Sequence, residues 1–149
     1  MENLYAAYGT FMSEERMKIF CPDAEFVGTG TIKNYQLMFK GEMPFSTATI
    51  EEEKGCEVPI IIWKITKANV GALCAEFSRW GNYRIEEVSA LIGAHSAFVG
   101  IHVKDEGERL NPPESHYYAE IYNAYEKYGF DLGALEKSLT FSDRRIGWV

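Results

Sequence analysis

The sequence predicts a protein of mixed strands and helices, and three stretches carry that expectation. Leu4, Ala6 and Tyr8 alternate with Tyr5 and Ala7, the period-2 pattern of a strand, and Ser13-Glu14-Glu15-Arg16 then opens a helix. Ile60-Ile61-Ile62-Trp63 is a continuous apolar run bounded by turn signals, the mark of a central strand buried on both faces. Val70, Leu73, Cys74 and Phe77 fall at i, i+3, i+4 and i+7, the apolar stripe of a helix.

Taken in order, the first strand drives into a short loop at residues 9–12. There several backbone N–H groups lack a partner and could hold a carboxylate or an oxyanion, although water satisfies such groups equally well. Ser13 suits the N-cap of the following helix, and Glu14 and Glu15 suit its dipole. Cys21-Pro22-Asp23 ends that helix, because proline lacks an N–H and restricts the residue before it. Residues 26–39 read as strand, with a bend at Gly28-Thr29-Gly30. A turn at 41–44, a strand at 45–50, a solvated hairpin tip at 51–55 and the buried strand at 56–65 complete the first half.

Thr66 caps a helix expected over 67–80, with Gly81 ending it. Glu76 lies at the border of the apolar stripe, beside Ala72, Leu73 and Trp80. An acid in such surroundings loses hydration, which favours its neutral form, the direction a general base near neutral pH requires. The alternative is a structural ion pair with Arg79 at i+3. A strand follows at 83–92, where the apolar positions change face near Glu86-Glu87 and suggest a bulge. Gly93-Ala94-His95-Ser96 reads as a hairpin turn before a strand at 97–103. Pro112-Pro113-Glu114 starts a tyrosine-rich helix that Gly129 closes. A short helix at 131–139 comes next, and residues 141–149 form a tail ending in Trp148, either a self-docking strand or an interface.

The chain of 149 residues is expected to be a single domain spanning 1–149, large enough to bury a core. A net charge of −7 with no basic cluster argues against nucleic acid, and it means that an acidic ligand must be held by local dipoles. No apolar run is long enough to span a membrane, and the early strand leaves no room for a signal peptide. Cys21, Cys56 and Cys74 form neither a disulfide framework nor a zinc motif, so a cytoplasmic protein without a metal site is expected. Neither a Gly-x-Ser-x-Gly elbow nor a His-Glu-x-x-His helix is present, and the three histidines read as surface or packing residues.

Several motifs, in order, resemble the gamma-glutamyl cyclotransferase-like (AIG2-like) family. Tyr8-Gly9-Thr10-Phe11-Met12 is similar to the family's Tyr-Gly-Ser-Asn-Leu loop and to the Tyr-Gly-Thr-Leu variant of its gamma-glutamylamine branch. Arg16 followed by Pro22-Asp23-Ala24, then Ala48-Thr49-Ile50, and Val58 to Trp63 match further family segments. The seven-residue interval from Glu76 to Tyr83 matches the family's acid-to-tyrosine spacing, and Pro113 to Tyr117 resembles its Pro-Ser-x-x-Tyr motif. Tyr118 competes with Tyr117 for that last role.

The resemblance implies an α+β fold, a small mixed β-barrel flanked by helices. It further implies cyclisation of a small-molecule γ-glutamyl compound to 5-oxoproline with release of an amine, without a cofactor, by a monomer or homodimer. It places the catalytic base at Glu76 and substrate binding at Tyr8, Gly9, Thr10, Phe11, Met12 and Tyr117. Three departures add bulk near the implied pocket: Phe11 for asparagine, and Ile60 and Phe77 each for a glycine. The alternative is a non-catalytic small-acid-binding protein or an interaction domain on the same fold.

Overall fold

The computed structural model describes residues 3–42 and 46–147, with side chains described as far as residue 140. Its centre is a closed barrel of five strands: β1 (Asn3–Ala7), β2 (Glu25–Lys40), β3 (Thr47–Ile65), β4 (Tyr83–Ile92) and β5 (His95–Lys104), in the order β1-β3-β2-β4-β5. The β1–β5 seam is parallel at Tyr5 and Gly100, whereas the remaining neighbours run antiparallel, so the barrel is mixed. Closure removes the open edges that would otherwise pair with other chains. Four helices flank it: α1 (Glu14–Phe20), α2 (Lys67–Phe77), α3 (Ser115–Tyr128) and α4 (Gly133–Gly147). None of the described helices is long and apolar enough to cross a membrane.

The apolar run behaves as its composition demands. Ile60, Ile61 and Ile62 are fully buried and Trp63 nearly so, because β3 lies between β1 and β2 with both faces covered. The bend at Gly28 and Gly30 is real. The β2–β3 register slips between Phe26 and Gly28, and a Cβ at Gly30 would sit 2.6 Å from the Leu91 carbonyl oxygen. Glycine therefore lets β4 close against β2.

Several expectations are corrected. Residues 47–65 form one strand rather than two, because Gln36 and Tyr35 still pair with Glu51 and Glu52 along the charged run. The extra residues before Glu57 are absorbed as a bulge, where Asn34 takes a left-handed φ of 63° and its side chain accepts the Gly55 N–H. Residues 43–45, which include part of the expected turn and Phe45, lie outside the described residues.

No bulge interrupts β4, whose register with β5 is continuous from Tyr83 to Ile92. The apolar set changes face there because Tyr83, on the outer side, meets α2 through Phe77 at 4.8 Å. The helix expected over 67–80 ends at Phe77 and finishes as a 3-10 turn, Ser78–Trp80. Glu114 is the N-cap of α3, so the two prolines precede the helix. α4 continues to Gly147, so most of the expected tail is helical; Trp148 lies outside the described residues.

At one end of the barrel two lysines are buried. The Lys104 ammonium donates to the Lys40 carbonyl at 2.6 Å and faces Glu108 at 3.3 Å, while Lys40 pairs with Glu51. Burial pushes the Lys104 pKa down, and Glu108 opposes that shift. These partners make the cluster a structural one.

Candidate active site

β1 delivers the chain into a 3-10 turn, Thr10–Met12, before Ser13 caps α1 by accepting the Arg16 N–H. The turn is fixed from beneath: the Trp63 indole donates to the Phe11 carbonyl at 3.2 Å, and the Phe11 ring packs on Phe20 and Phe77. Met12 is buried and spends its N–H on the Gly9 carbonyl at 3.1 Å. Met12 is thereby removed from the expected set of amide donors. Among the described residues, nothing takes the N–H of Gly9, Thr10 or Phe11.

α2 delivers the acid. Thr66 and Asn69 form a reciprocal capping box that fixes the helix start, and Leu73 anchors its buried face. Three residues on, the Glu76 side chain is only 10% exposed. Its two oxygens accept from Arg79 at 3.1 Å and from the Trp80 indole at 3.2 Å. The ion pair with Arg79, expected as the alternative to a catalytic part, is thus formed, and Trp80 at i+4 adds a second bond. The Arg79 side chain is 69% exposed, so this ion pair is weakly held.

α3 supplies the facing wall. Tyr117 accepts the Ala48 N–H at 2.8 Å and lies close to Gly9. Tyr118 instead packs on Phe39 and Tyr122, away from the turn. Glu114 caps α3 through the N–H groups of His116 and Tyr117, which hold its carboxyl below the usual range. Arg16 reaches across from α1 to grip Glu120 with three hydrogen bonds of 2.7–3.1 Å.

These elements enclose a hollow of about 210 Å³. Thr10, Phe11, Glu76, Phe77, Trp80 and Tyr117 line it together with Tyr83 and Thr47. Arg16, Glu114, His116 and Glu120 complete its wall. A narrow recess of about 20 Å³ shares Thr10, Phe11, Phe77 and Tyr117 and reaches Gly9, Tyr8 and Ala48. Tyr8 donates to the His102 carbonyl, and Tyr83 to the Ala48 carbonyl at 2.5 Å. Burial raises the pKa of all three tyrosines well above the ordinary phenol value, so they remain neutral donors.

The structure thus gathers Thr10, Phe11, Glu76 and Tyr117 around one space, and puts Gly9 and Tyr8 in the recess that shares Thr10, Phe11 and Tyr117 with it. Of the three bulky departures, Phe11 and Phe77 do line it. Ile60 is buried in the barrel wall and borders neither the hollow nor the recess, so the expected narrowing there is absent. Glu114 and Glu120 were not anticipated, although they flank Tyr117 at i−3 and i+3 on one face of α3. A larger open groove, about 760 Å³ between β2, β3 and the start of α4, contains none of the expected site residues.

No family model matches the sequence, and no curated protein does. Solved structures do match. A protein described as a gamma-glutamyl cyclotransferase superposes with a TM-score of 0.81 at 24% identity, over 92% of this chain and 86% of the other. The fold is gamma-glutamyl cyclotransferase-like. An uncharacterised protein from Homo sapiens matches with a TM-score of 0.79 at 25% identity, over 91% of this chain and 85% of its own. An AIG2-like protein from Mus musculus is more distant, with a TM-score of 0.57 at 17% identity over 70% and 78%. Within the cyclotransferase-like fold, the hollow lies where the turn after β1, the end of α2 and the first half of α3 meet the starts of β3 and β4.

Proposed function

We propose that the chain is a gamma-glutamyl cyclotransferase-type enzyme, converting a γ-glutamyl amide to 5-oxoproline and a free amine. One juxtaposition supports this reading: a nine-tenths-buried carboxylate, Glu76, lines the same hollow as Thr10 and Phe11, whose amides are uncommitted, and Gly9 lies in the recess that shares part of its wall.

The substrate carries its own nucleophile, so the protein has to fold it until the α-nitrogen meets the γ-carbonyl carbon. Glu76 takes a proton from the α-ammonium. The freed amine attacks the γ-carbonyl, and N–H groups of the turn stabilise the charge that develops on its oxygen. Collapse breaks the γ C–N bond as Glu76 hands its proton to the departing nitrogen, and the same carboxylate then relays the surplus proton of the new ring nitrogen to that amine, which leaves as an ammonium. A carboxylate has about four lone-pair sites. Arg79 and Trp80 occupy two, leaving room for an ammonium and orienting the group meanwhile. The Phe11, Phe77 and Tyr83 rings exclude water around the reacting atoms.

The test is 5-oxoproline release from γ-glutamyl amides by the wild type and by Glu76→Gln. Loss of general base catalysis predicts a fall of roughly 10²–10⁴-fold in kcat, with melting temperature nearly unchanged because the amide oxygen still accepts from Trp80. Turnover that survives in the variant removes Glu76 from the role. A second reading, a non-catalytic small-acid-binding protein, draws support from the bulk of Phe11 and Phe77 on the wall. It predicts no product, yet a thermal shift with glutamate-like ligands.

A further inference from the structure

We infer that the open groove between β2, β3 and the start of α4 is a second ligand site, built for a sugar that carries an acid group. The groove shares no residue with the hollow, so it stands independently of the cyclotransferase reading.

At about 760 Å³ the groove has the size of a small-molecule site. One side of it comes from β2. Thr29, Thr31 and Lys33 line it at the two-residue period of a strand. Gln36 stands an odd three residues beyond Lys33 and yet lines the same groove, because the bulge at Asn34 adds one residue to β2 and restores the parity.

Gln36 is the residue that points to a ligand. It is only 6% exposed, and its side-chain amide makes no hydrogen bond among the described residues. Among those residues, the Tyr125 hydroxyl alone is an unpartnered side-chain polar atom sealed from outside, so the Gln36 amide opens onto the groove that it lines. Held there, it offers both a donor and an acceptor to whatever fills the space, and a buried amide left unmet is destabilising.

The α4 side supplies charge. Lys137, one turn beyond the helix start at Gly133, reaches the Cys56 thiol of β3 at 3.1 Å. Among the described residues no carboxylate pairs with its ammonium. Both acids of the lining are already engaged, Glu57 by Lys33 at 3.2 Å and Asp131 by the Gly133 N–H at 3.2 Å. One positive charge is therefore left for a ligand, in a chain whose net charge of −7 discourages anions elsewhere. The Tyr128 and Phe130 rings, with centroids 5.9 Å apart, add apolar faces. An acid for Lys137, hydroxyls for Gln36 and the two threonines, and a C–H face for the rings are combined in an acidic sugar.

Three pyranoses that differ at one carbon isolate these features: glucose 6-phosphate, glucuronate and glucose, which carry there a phosphate, a carboxylate and a neutral hydroxyl. Each is titrated into the isotope-labelled full chain and followed by backbone amide shifts, with calorimetry for affinity. Saturable binding of at least one acid is expected, about threefold or more tighter than glucose and weaker in 1 M salt, and the tighter of the two identifies the acid group. The shifts should centre on Thr31, Gln36 and Ala134 and spare Thr10 and Glu76. Lys137→Gln should bring the acids down to the level of glucose. Gln36→Leu should weaken the acids at least about threefold while the melting temperature holds or rises, since leucine has no amide to satisfy.

No saturable binding of either acid overturns the inference, and so does glucose binding equally well. Acid binding undiminished in Lys137→Gln or in Gln36→Leu overturns it as well, because the groups credited with recognition are then not responsible. Shifts centred on Thr10 and Glu76 would put the sugar in the hollow and overturn it too.

Discussion

The two walls of the hollow are built on opposite principles. The wall from β1, its 3-10 turn and Tyr117 is sealed: Tyr5, Tyr8, Phe11 and Met12 are buried, and the Tyr5 and Tyr8 hydroxyls, the Phe11 carbonyl and the Met12 N–H meet fixed partners deep in the fold. The wall where α1 meets α3 is held by partly exposed charge, Arg16 on Glu120. A buried hydrogen bond cannot be exchanged for water, so losing one partner carries the full desolvation penalty, whereas an exposed ion pair trades places with solvent at little cost. Geometry that must be constant for chemistry sits on the sealed wall. Whatever discriminates between substrates is free to vary on the other.

The sealed wall has a pH limit, and it should be the largest effect on stability. His102 is buried behind it: its Nδ1 lies 2.7 Å from the Tyr5 hydroxyl, its Nε2 lies 3.2 Å from the Cys74 thiol, and its ring stacks on Phe77 at 4.3 Å. Burial lowers its pKa to about 4. The folded state therefore refuses a proton that the unfolded chain accepts near 6.5. Stability from this residue is fully present above pH 6.5, is lost as pH falls toward 4, and changes no further below that. At pH 4.5 the loss should be roughly 2–3 kcal/mol. His102→Gln cannot take up the proton. Urea unfolding at pH 7 and 4.5 should then show a smaller acid loss in the variant by that amount; equal losses would mean that His102 is hydrated in the native state.

The next effect tests a single bond on the same wall. Tyr117→Phe removes the acceptor of the Ala48 N–H and should cost about 1–2 kcal/mol, the usual penalty for an orphaned buried donor. Because Tyr117 also borders Gly9, 5-oxoproline formation should fall along with stability. A variant as stable as the wild type would show that water replaces the hydroxyl there, and that this wall is less sealed than its burial implies.

The contrast between walls also explains what was legible in the sequence. Strand periodicity, the Ile60–Trp63 run and the Thr66 cap each encode local preferences that the barrel satisfies rather than overrides, so β1, β3 and α2 could be read almost directly. Glu76 stood out at the border of the α2 stripe, where spacing names its neighbours, whereas Tyr117 and the catalytic part given to Glu76 came only from the motif resemblance. Three things were not legible. Continuity of β3 through Glu51-Glu52-Glu53-Lys54 depends on pairing with β2, a long-range contact that overrides the polar composition. The unbroken register of β4 depends on its pairing with β5, and the outward Tyr83 meets Phe77 of α2, a contact that no local pattern reports. The grip of Arg16 on Glu120 joins residues 104 positions apart, so each charge looked like an ordinary solvated one.

That last pair gives the smallest effect on stability and the sharpest probe of the division of labour. The two side chains are 33% and 40% exposed, so Arg16→Gln should cost no more than about 1 kcal/mol. Its consequence for the hollow is larger in kind, because Glu120 loses the guanidinium that neutralises it and the mouth becomes more negative. KM for a γ-glutamyl amide should shift about two- to threefold, with kcat nearly unchanged. A shift at low salt that shrinks in 1 M salt would tie binding to the net charge of the exposed wall. If Arg16→Gln instead costs more than 2 kcal/mol, the α1–α3 junction is holding the turn in place, and the two walls are then one structural unit.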